Sequence, residues 1–168
     1  MISAPRSVPS TVARPPVSSV PPTATAAMAS LKRIARAQVA NGRPLSENPL
    51  FAARMAAVEI DLMAMSTTNL RMLAQAAAGQ APGAESSMLK LKGTQIRQAI
   101  NDLARRAVGP WALAFPSEAV EGANDDAAPG PAEAAGATRA YLNNRKLSIY
   151  GGSNEIQRGI IAKSLLGL

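Results

Sequence analysis

The sequence predicts an all-α fold, an antiparallel four-helix bundle preceded by a disordered N-terminal tail, and three observations predict it. Of the 168 residues, 47% are hydrophobic but only 3% are aromatic. A core of Ala, Leu, Ile and Met favours packed helices over a sheet. Two long segments, 49–78 and 84–108, repeat apolar residues at helical spacing. A short connection through Gly79 and Pro82-Gly83 obliges those two helices to lie antiparallel. No convincing alternating strand pattern competes, and the length suits one domain that buries roughly two-thirds of its unfolded surface.

In order, residues 1–28 are rich in Pro, Ser, Thr, Ala and Val, with Arg6, Arg14 and no acid. Repeated prolines forbid a regular helix, and the apolar area is too small to offset the entropy of ordering, so a disordered tail is expected. Such an acid-free, arginine-bearing start resembles a transit peptide, yet the prolines spoil the amphipathic helix that one needs. No apolar run reaches the ~18 residues of a membrane span. The expected location is the cytoplasm, with no membrane partner.

The domain itself is expected over 29–168. Leu31, Ile34 and Ala35, with Lys32, Arg33 and Arg36 opposite, form a short basic amphipathic helix that stops at Asn41-Gly42 and Pro44. It reads as the tail end of a longer helix, or as a surface for a membrane or an acidic partner. In the first long helix Phe51, Met55, Val58, Leu62, Met65, Met72 and Leu73 make one stripe, interrupted by Asn69. Its methionines are core filler or, less commonly, a cofactor-lining stripe. In the second, Leu89, Ile96, Ala99, Ile100, Leu103 and Ala107 point inward and Lys90, Lys92, Arg97 and Arg105 outward. Gly109-Pro110 ends it beside Trp111, which either stacks on a planar ligand or plugs the end of the bundle. Residues 116–137 read as a mobile acidic loop, and helical pattern resumes near Thr138 with Tyr141, Leu142, Leu147 and Ile149.

The last stretch, Arg139 to Leu168, breaks at Gly151-Gly152 and restarts at once. Both glycines can take positive φ and admit another backbone or a phosphate. Ser153 or Asn154 can cap the new helix, and Glu155 suits the positive end of its macrodipole. Ile156, Ile160, Ile161 and Leu165 recur at helical spacing, with Arg158 and Lys163 on the wet side. The break is therefore a plain joint or an anion site.

Cysteine and histidine are both absent, which excludes disulfides, thiol nucleophiles, imidazole bases and most zinc or transition-metal sites. The formal charge is +7, from 18 basic and 11 acidic residues. Most of the excess lies scattered over residues 29–120, as a solvated face or a phosphate-binding surface. Net charge alone is thin ground for nucleic acid as a partner.

Tyr150-Gly151-Gly152-Ser153-Asn154-Glu155-Ile156-Gln157-Arg158, followed by Ile160-Ile161-Ala162-Lys163 and Leu166-Gly167-Leu168, resembles the C-terminal end of acyl-CoA dehydrogenases. Ser86-Ser87-Met88-Leu89-Lys90-Leu91-Lys92 adds to the likeness. Ala107-Val108-Gly109-Pro110-Trp111 departs from it, since the family usually shows Gln and paired glycines there. The resemblance spans about Leu31 to Leu168 and implies the C-terminal four-helix domain of a flavin enzyme. That enzyme oxidises an acyl-CoA thioester across Cα–Cβ, with a carboxylate removing the α-proton and FAD taking the β-hydride.

The resemblance places the cofactor-binding set at Gly152, Ser153, Glu155 and Gly109. Ser153 and Glu155 match the family's Thr and Gln near the adenosine half of FAD, Glu155 exchanging an amide for a charge. Gly109 stands where a glycine lies near the pyrophosphate. No catalytic residue is carried over: Gly151 holds the place where many members have the glutamate base, and glycine can abstract nothing. The N-terminal helical and middle β-domains have no counterpart, so the expectation is a fragment of a longer enzyme or a detached domain. Expected partners are a second copy or a subunit carrying the missing domains, with acyl-CoA in the complete enzyme and no nucleic acid or metal. The alternative is a non-catalytic helical oligomerisation scaffold.

Overall fold

The computed structural model describes residues 23–81, 83–113 and 130–167. Among these the fold is all-α, with five helices: α1 (Ala24–Ala37), α2 (Pro49–Ala77), α3 (Glu85–Ala107), α4 (Ala134–Asn143) and α5 (Asn154–Leu166). Three short 3-10 turns, Leu45–Glu47, Gly109–Leu113 and Asn144–Ser148, join or flank them. α3 is the central element and touches each of the other four helices. Leu31, Ile96, Ile100 and Val108 are its most deeply buried neighbourhood.

Order begins earlier than the composition of the tail suggests. The last proline is Pro22, and at Thr23 the side-chain oxygen accepts the Ala26 N–H at 3.2 Å, a cap that lets α1 start at Ala24. Met28, expected in the disordered tail, is buried with Leu31, Ile34 and Ala35 against the core. The rest of that tail, residues 1–22, lies outside the described residues.

Where no strand was expected, Val39–Ala40 (β1) and Arg43–Pro44 (β2) pair as a minimal antiparallel hairpin, Val39 opposite Pro44 and Ala40 opposite Arg43. Asn41 and Gly42 both have positive φ, 54° and 77°, the primed turn that an Asn-Gly pair selects.

α2 starts as the sequence predicts, with Asn48 accepting the Phe51 N–H at 3.1 Å and Pro49 in the first turn. Phe51, Met55 and Leu62 are buried, and Val58 and Met65 pack against the core. The expected stripe then runs out: Met72 is half-buried and Leu73 is exposed. Along this part Ser66, Thr67 and Thr68 donate back to the carbonyls of Leu62, Met63 and Ala64. α2 crosses α3 closely at Gly93, where Met65 Sδ lies 3.4 Å from the place a Cβ would take. Asp61 and Lys92 pair across that crossing at 2.8 Å, and Lys32 of α1 pairs with Glu59.

α4 also begins earlier than expected. Residues 134–137 are helical rather than loop, because the run Ala132-Glu133-Ala134-Ala135 is a good helix former once past Gly130-Pro131. Residues 114–129, the remainder of the expected acidic loop, lie outside the described residues. Buried Thr138 fastens α4 by donating its hydroxyl to the Ala112 carbonyl at 2.9 Å. Tyr141 is held between two guanidinium groups, Arg105 at 4.7 Å and Arg145 at 4.6 Å from its ring centre.

Candidate functional site

The break before α5 has a defined geometry. Gly151 and Gly152 have φ of 70° and 83°, a region costly for any residue with a Cβ, so glycine is required by the path of the chain. Gln157 folds back over the pair: its Nε2 donates to the Gly151 carbonyl at 3.2 Å and lies 2.4 Å from where a Cβ on Gly152 would stand. At Gly151, by contrast, no described atom lies within 4 Å of the Cβ position. Among the described residues the joint is closed at Gly152 by an amide and open at Gly151.

α5 then starts on a conventional cap. Ser153 has extended backbone, and its hydroxyl oxygen accepts the Ile156 N–H at 3.4 Å. Glu155 stands exposed in the first turn, 3.6 Å from Arg158. Its carboxyl is held below the usual range, first by its own backbone N–H and then by the Ser153 hydroxyl, with the charges of Arg158 and Lys90 adding to the effect. A carboxylate held low is a charge and a hydrogen-bond acceptor at neutral pH, and a weaker proton acceptor than an ordinary one.

The sequence-predicted set is thus divided. Gly152, Ser153 and Glu155 come together at one end of α3, where Lys90 reaches Asn154. Gly109, with φ of 61°, follows the other end of α3. From Lys90 to Gly109, at about 1.5 Å per residue, is roughly 28 Å. Next to Gly109, Trp111 is half-exposed and lies so close over the backbone of Gly130 that a Cβ there would meet its indole at 2.4 Å. The indole is therefore packed against its own chain.

Sequence reasoning missed a row of polar side chains on α3. Lys90, expected outward with the solvated face, donates to the Leu147 carbonyl and to Asn154 Oδ1, both at 3.2 Å. Thr94 Oγ1 lies 3.3 Å from the same carbonyl, and Gln98 Nε2 donates to Ser148 Oγ at 2.9 Å and to the Asn144 carbonyl at 3.1 Å. The signal was present as polar residues at i, i+4 and i+8, one helical face. Periodicity could not say that this face meets the carbonyls of the 3-10 turn Asn144–Ser148.

Around the joint the surface is apolar. Ile149, Tyr150, Ile156, Ile160, Leu165 and Leu166 are all exposed. Among the described residues no group of His, Cys, Asp or Glu could hold a metal ion, and no helix is long and apolar enough to cross a membrane.

Residues 14–166 match the family model described as the acyl-CoA dehydrogenase C-terminal domain. The acyl-CoA dehydrogenase IpdE1 of Mycobacterium tuberculosis is 30% identical over 131 residues, covering 78% of this chain and 30% of that protein. Three solved structures share the fold. An FAD complex of PigA superposes with a TM-score of 0.67 at 21% identity, over 86% of this chain and 33% of PigA. The ChsE4-ChsE5 complex of Mycobacterium tuberculosis gives 0.65 at 22%, over 86% and 35%. Butyryl-CoA dehydrogenase of Megasphaera elsdenii gives 0.62 at 17%, over 85% and 33%. The chain spans about a third of the length of these relatives.

Proposed function

The chain belongs to the acyl-CoA dehydrogenase family through that family's C-terminal domain, and from that premise we propose that it serves an FAD-dependent oxidoreductase acting on CH–CH bonds of acyl-CoA. Its part is to supply flavin contacts and subunit association, without turnover by itself. The observation that carries this reading is the Gly151-Gly152 joint, open at Gly151 and leading into the capped start of α5. In this reading α2 to α5 correspond to the four-helix bundle, and α1 is an added helix packed on α3.

The residues fit the adenosine half of FAD better than its phosphates. Gly152 offers backbone without a side chain, the Ser153 hydroxyl is fixed by its cap, and Glu155 is an ionised acceptor that suits a ribose or adenine donor and repels a pyrophosphate. Gly109, at the far end of α3, would meet a pyrophosphate in a separate contact. That separation suits a domain that reaches across a subunit boundary, each end of α3 serving a different protomer's cofactor. When bound, FAD supplies the acceptor for the β-hydride.

Removal of the α-proton falls to another part of the enzyme. Gly151 has no side chain, and Glu155, whose carboxyl is held below the usual range by its own backbone N–H and the Ser153 hydroxyl, is a weaker base than an ordinary glutamate. We therefore assign as partners a second copy of the chain or a subunit carrying the N-terminal and middle domains, with acyl-CoA bound in the complete assembly and the cytoplasm as its location. A second reading, a non-catalytic helical scaffold, draws on the exposed apolar residues of α2 and α5.

Titration of FAD into the purified chain, followed by flavin fluorescence, together with light scattering, tests both readings. Saturable quenching and a mass that is a multiple of 17.3 kDa are expected. Association without flavin binding would leave the scaffold reading, and a flavin-free monomer would contradict both.

A further inference from the structure

Leu147 and Asn154 flank the segment 148–153, which contains both glycines of the joint. Lys90 bonds to each flank through one ammonium, to the Leu147 carbonyl and to Asn154 Oδ1. The segment between carries little packing of its own, since Ile149, Tyr150, Gly151 and Gly152 are all exposed. Two consecutive glycines have the widest backbone freedom of any pair, and fixing them costs the most entropy. A donor that ties both ends of such a loop removes much of that freedom before any ligand arrives.

We infer that Lys90 is the positioning residue of the Gly151-Gly152 joint, holding it in the open shape that a cofactor contact at Gly152, Ser153 and Glu155 needs. The clamp stands on the hydrogen bonds alone, and its consequence for flavin rests on the proposed function. Gln98 supports the 3-10 turn upstream through Asn144 and Ser148. It makes no bond across the glycines, which makes it the natural control. Thr94, which approaches only Leu147 outside its own helix, bears on one flank.

The test compares the 168-residue chain with Lys90→Met, Lys90→Arg and Gln98→Leu. Met keeps the apolar stem and removes the three N–H donors. Expected for Lys90→Met is amide exchange at Tyr150 and Gln157 faster by about tenfold, the scale of losing a charge-assisted bond. The 15N order parameters of Gly151 and Gly152 should fall towards the flexible range while amides of Ile96 to Leu103 stay unchanged. Lys90→Arg should restore most of the protection, and Gln98→Leu should leave the glycines as they are. Asn154→Leu added to Lys90→Met should cost less than the two separately, because both remove the same bond. Unchanged exchange at Tyr150 and Gln157, or uniform acceleration throughout α3, overturns the clamp.

Flavin titration supplies the second arm, with FAD affinity about tenfold weaker in Lys90→Met. Equal FAD affinity in both proteins overturns the positioning role. A wild-type chain that binds no FAD, yet shows the exchange difference, overturns the flavin reading and leaves the clamp.

Discussion

α3 and α5 carry the same kind of sequence and meet opposite fates. α3 sets Ile96, Ile100, Leu103 and Ala107 on one face and buries all four, with Ile96 and Ile100 each 1% exposed. α5 sets Ile156, Ile160, Ile161 and Leu165 at the same spacing and buries none, leaving Ile156 60% and Leu165 63% exposed. The difference is position. α3 is surrounded by four helices, whereas α5 rests on α3 from one side. An amphipathic pattern states that a face is apolar, and only the arrangement of neighbours decides whether this chain covers it. The uncovered face of α5 is therefore the natural place for the association we propose.

The comparison breaks first on stability. Ile100→Ala empties a filled site and should cost about 2–5 kcal/mol, whereas Ile160→Ala removes atoms that water already reaches and should stay within about 0.5 kcal/mol. Denaturant melts of both variants measure this directly. Equal losses would mean that α5 is as deeply packed as α3.

The second effect is on assembly. Ile156→Ser combined with Leu165→Ser should shift the light-scattering mass towards the monomer, with the melting curve nearly unchanged. If the pair instead unfolds the chain, the α5 face is part of the core.

The smallest effect is acid sensitivity, again unequal between the helices. Burial raises the Asp102 carboxyl, but hydrogen bonds from Arg106 and Arg105 outweigh it and hold the group below its ordinary value. A lowered folded pKa means that the stabilisation is present above the ordinary carboxylate range and is lost as pH falls through the folded value. Wild-type stability should therefore drop more steeply than that of Asp102→Asn below about pH 4. Glu155 shifts in the same direction but is fully exposed, and water screens its pairing with Arg158. Glu155→Gln should change the acid limb less than Asp102→Asn, and a larger change would place the stronger carboxylate on α5.

Much of this fold is legible residue by residue. Both long helices are readable to within a residue or two because Asn48-Pro49, Gly79 and Gly109 punctuate them. The cap at Ser153 follows from the preceding glycine pair. The start of α1 was hidden by the prolines upstream, whose prohibition ends at Pro22, and the hairpin by strands of only two residues, too short for alternation to register. Lys90 looked solvated because charge usually is, and its partners, a carbonyl and an amide more than fifty positions away, leave no periodic trace. The candidate site was legible as a cluster only at Gly152, Ser153 and Glu155. Gly109 follows the far end of α3, away from the end beside which Gly152, Ser153 and Glu155 gather.

The most direct test is turnover by the purified chain, supplied with FAD, a panel of acyl-CoA thioesters and an artificial electron acceptor. The account predicts none, because it assigns the base to another part of the enzyme, and a base contributes about 10²- to 10⁴-fold in rate. Turnover by the wild-type chain that disappears in Glu155→Gln would contradict it, placing the base on the first turn of α5.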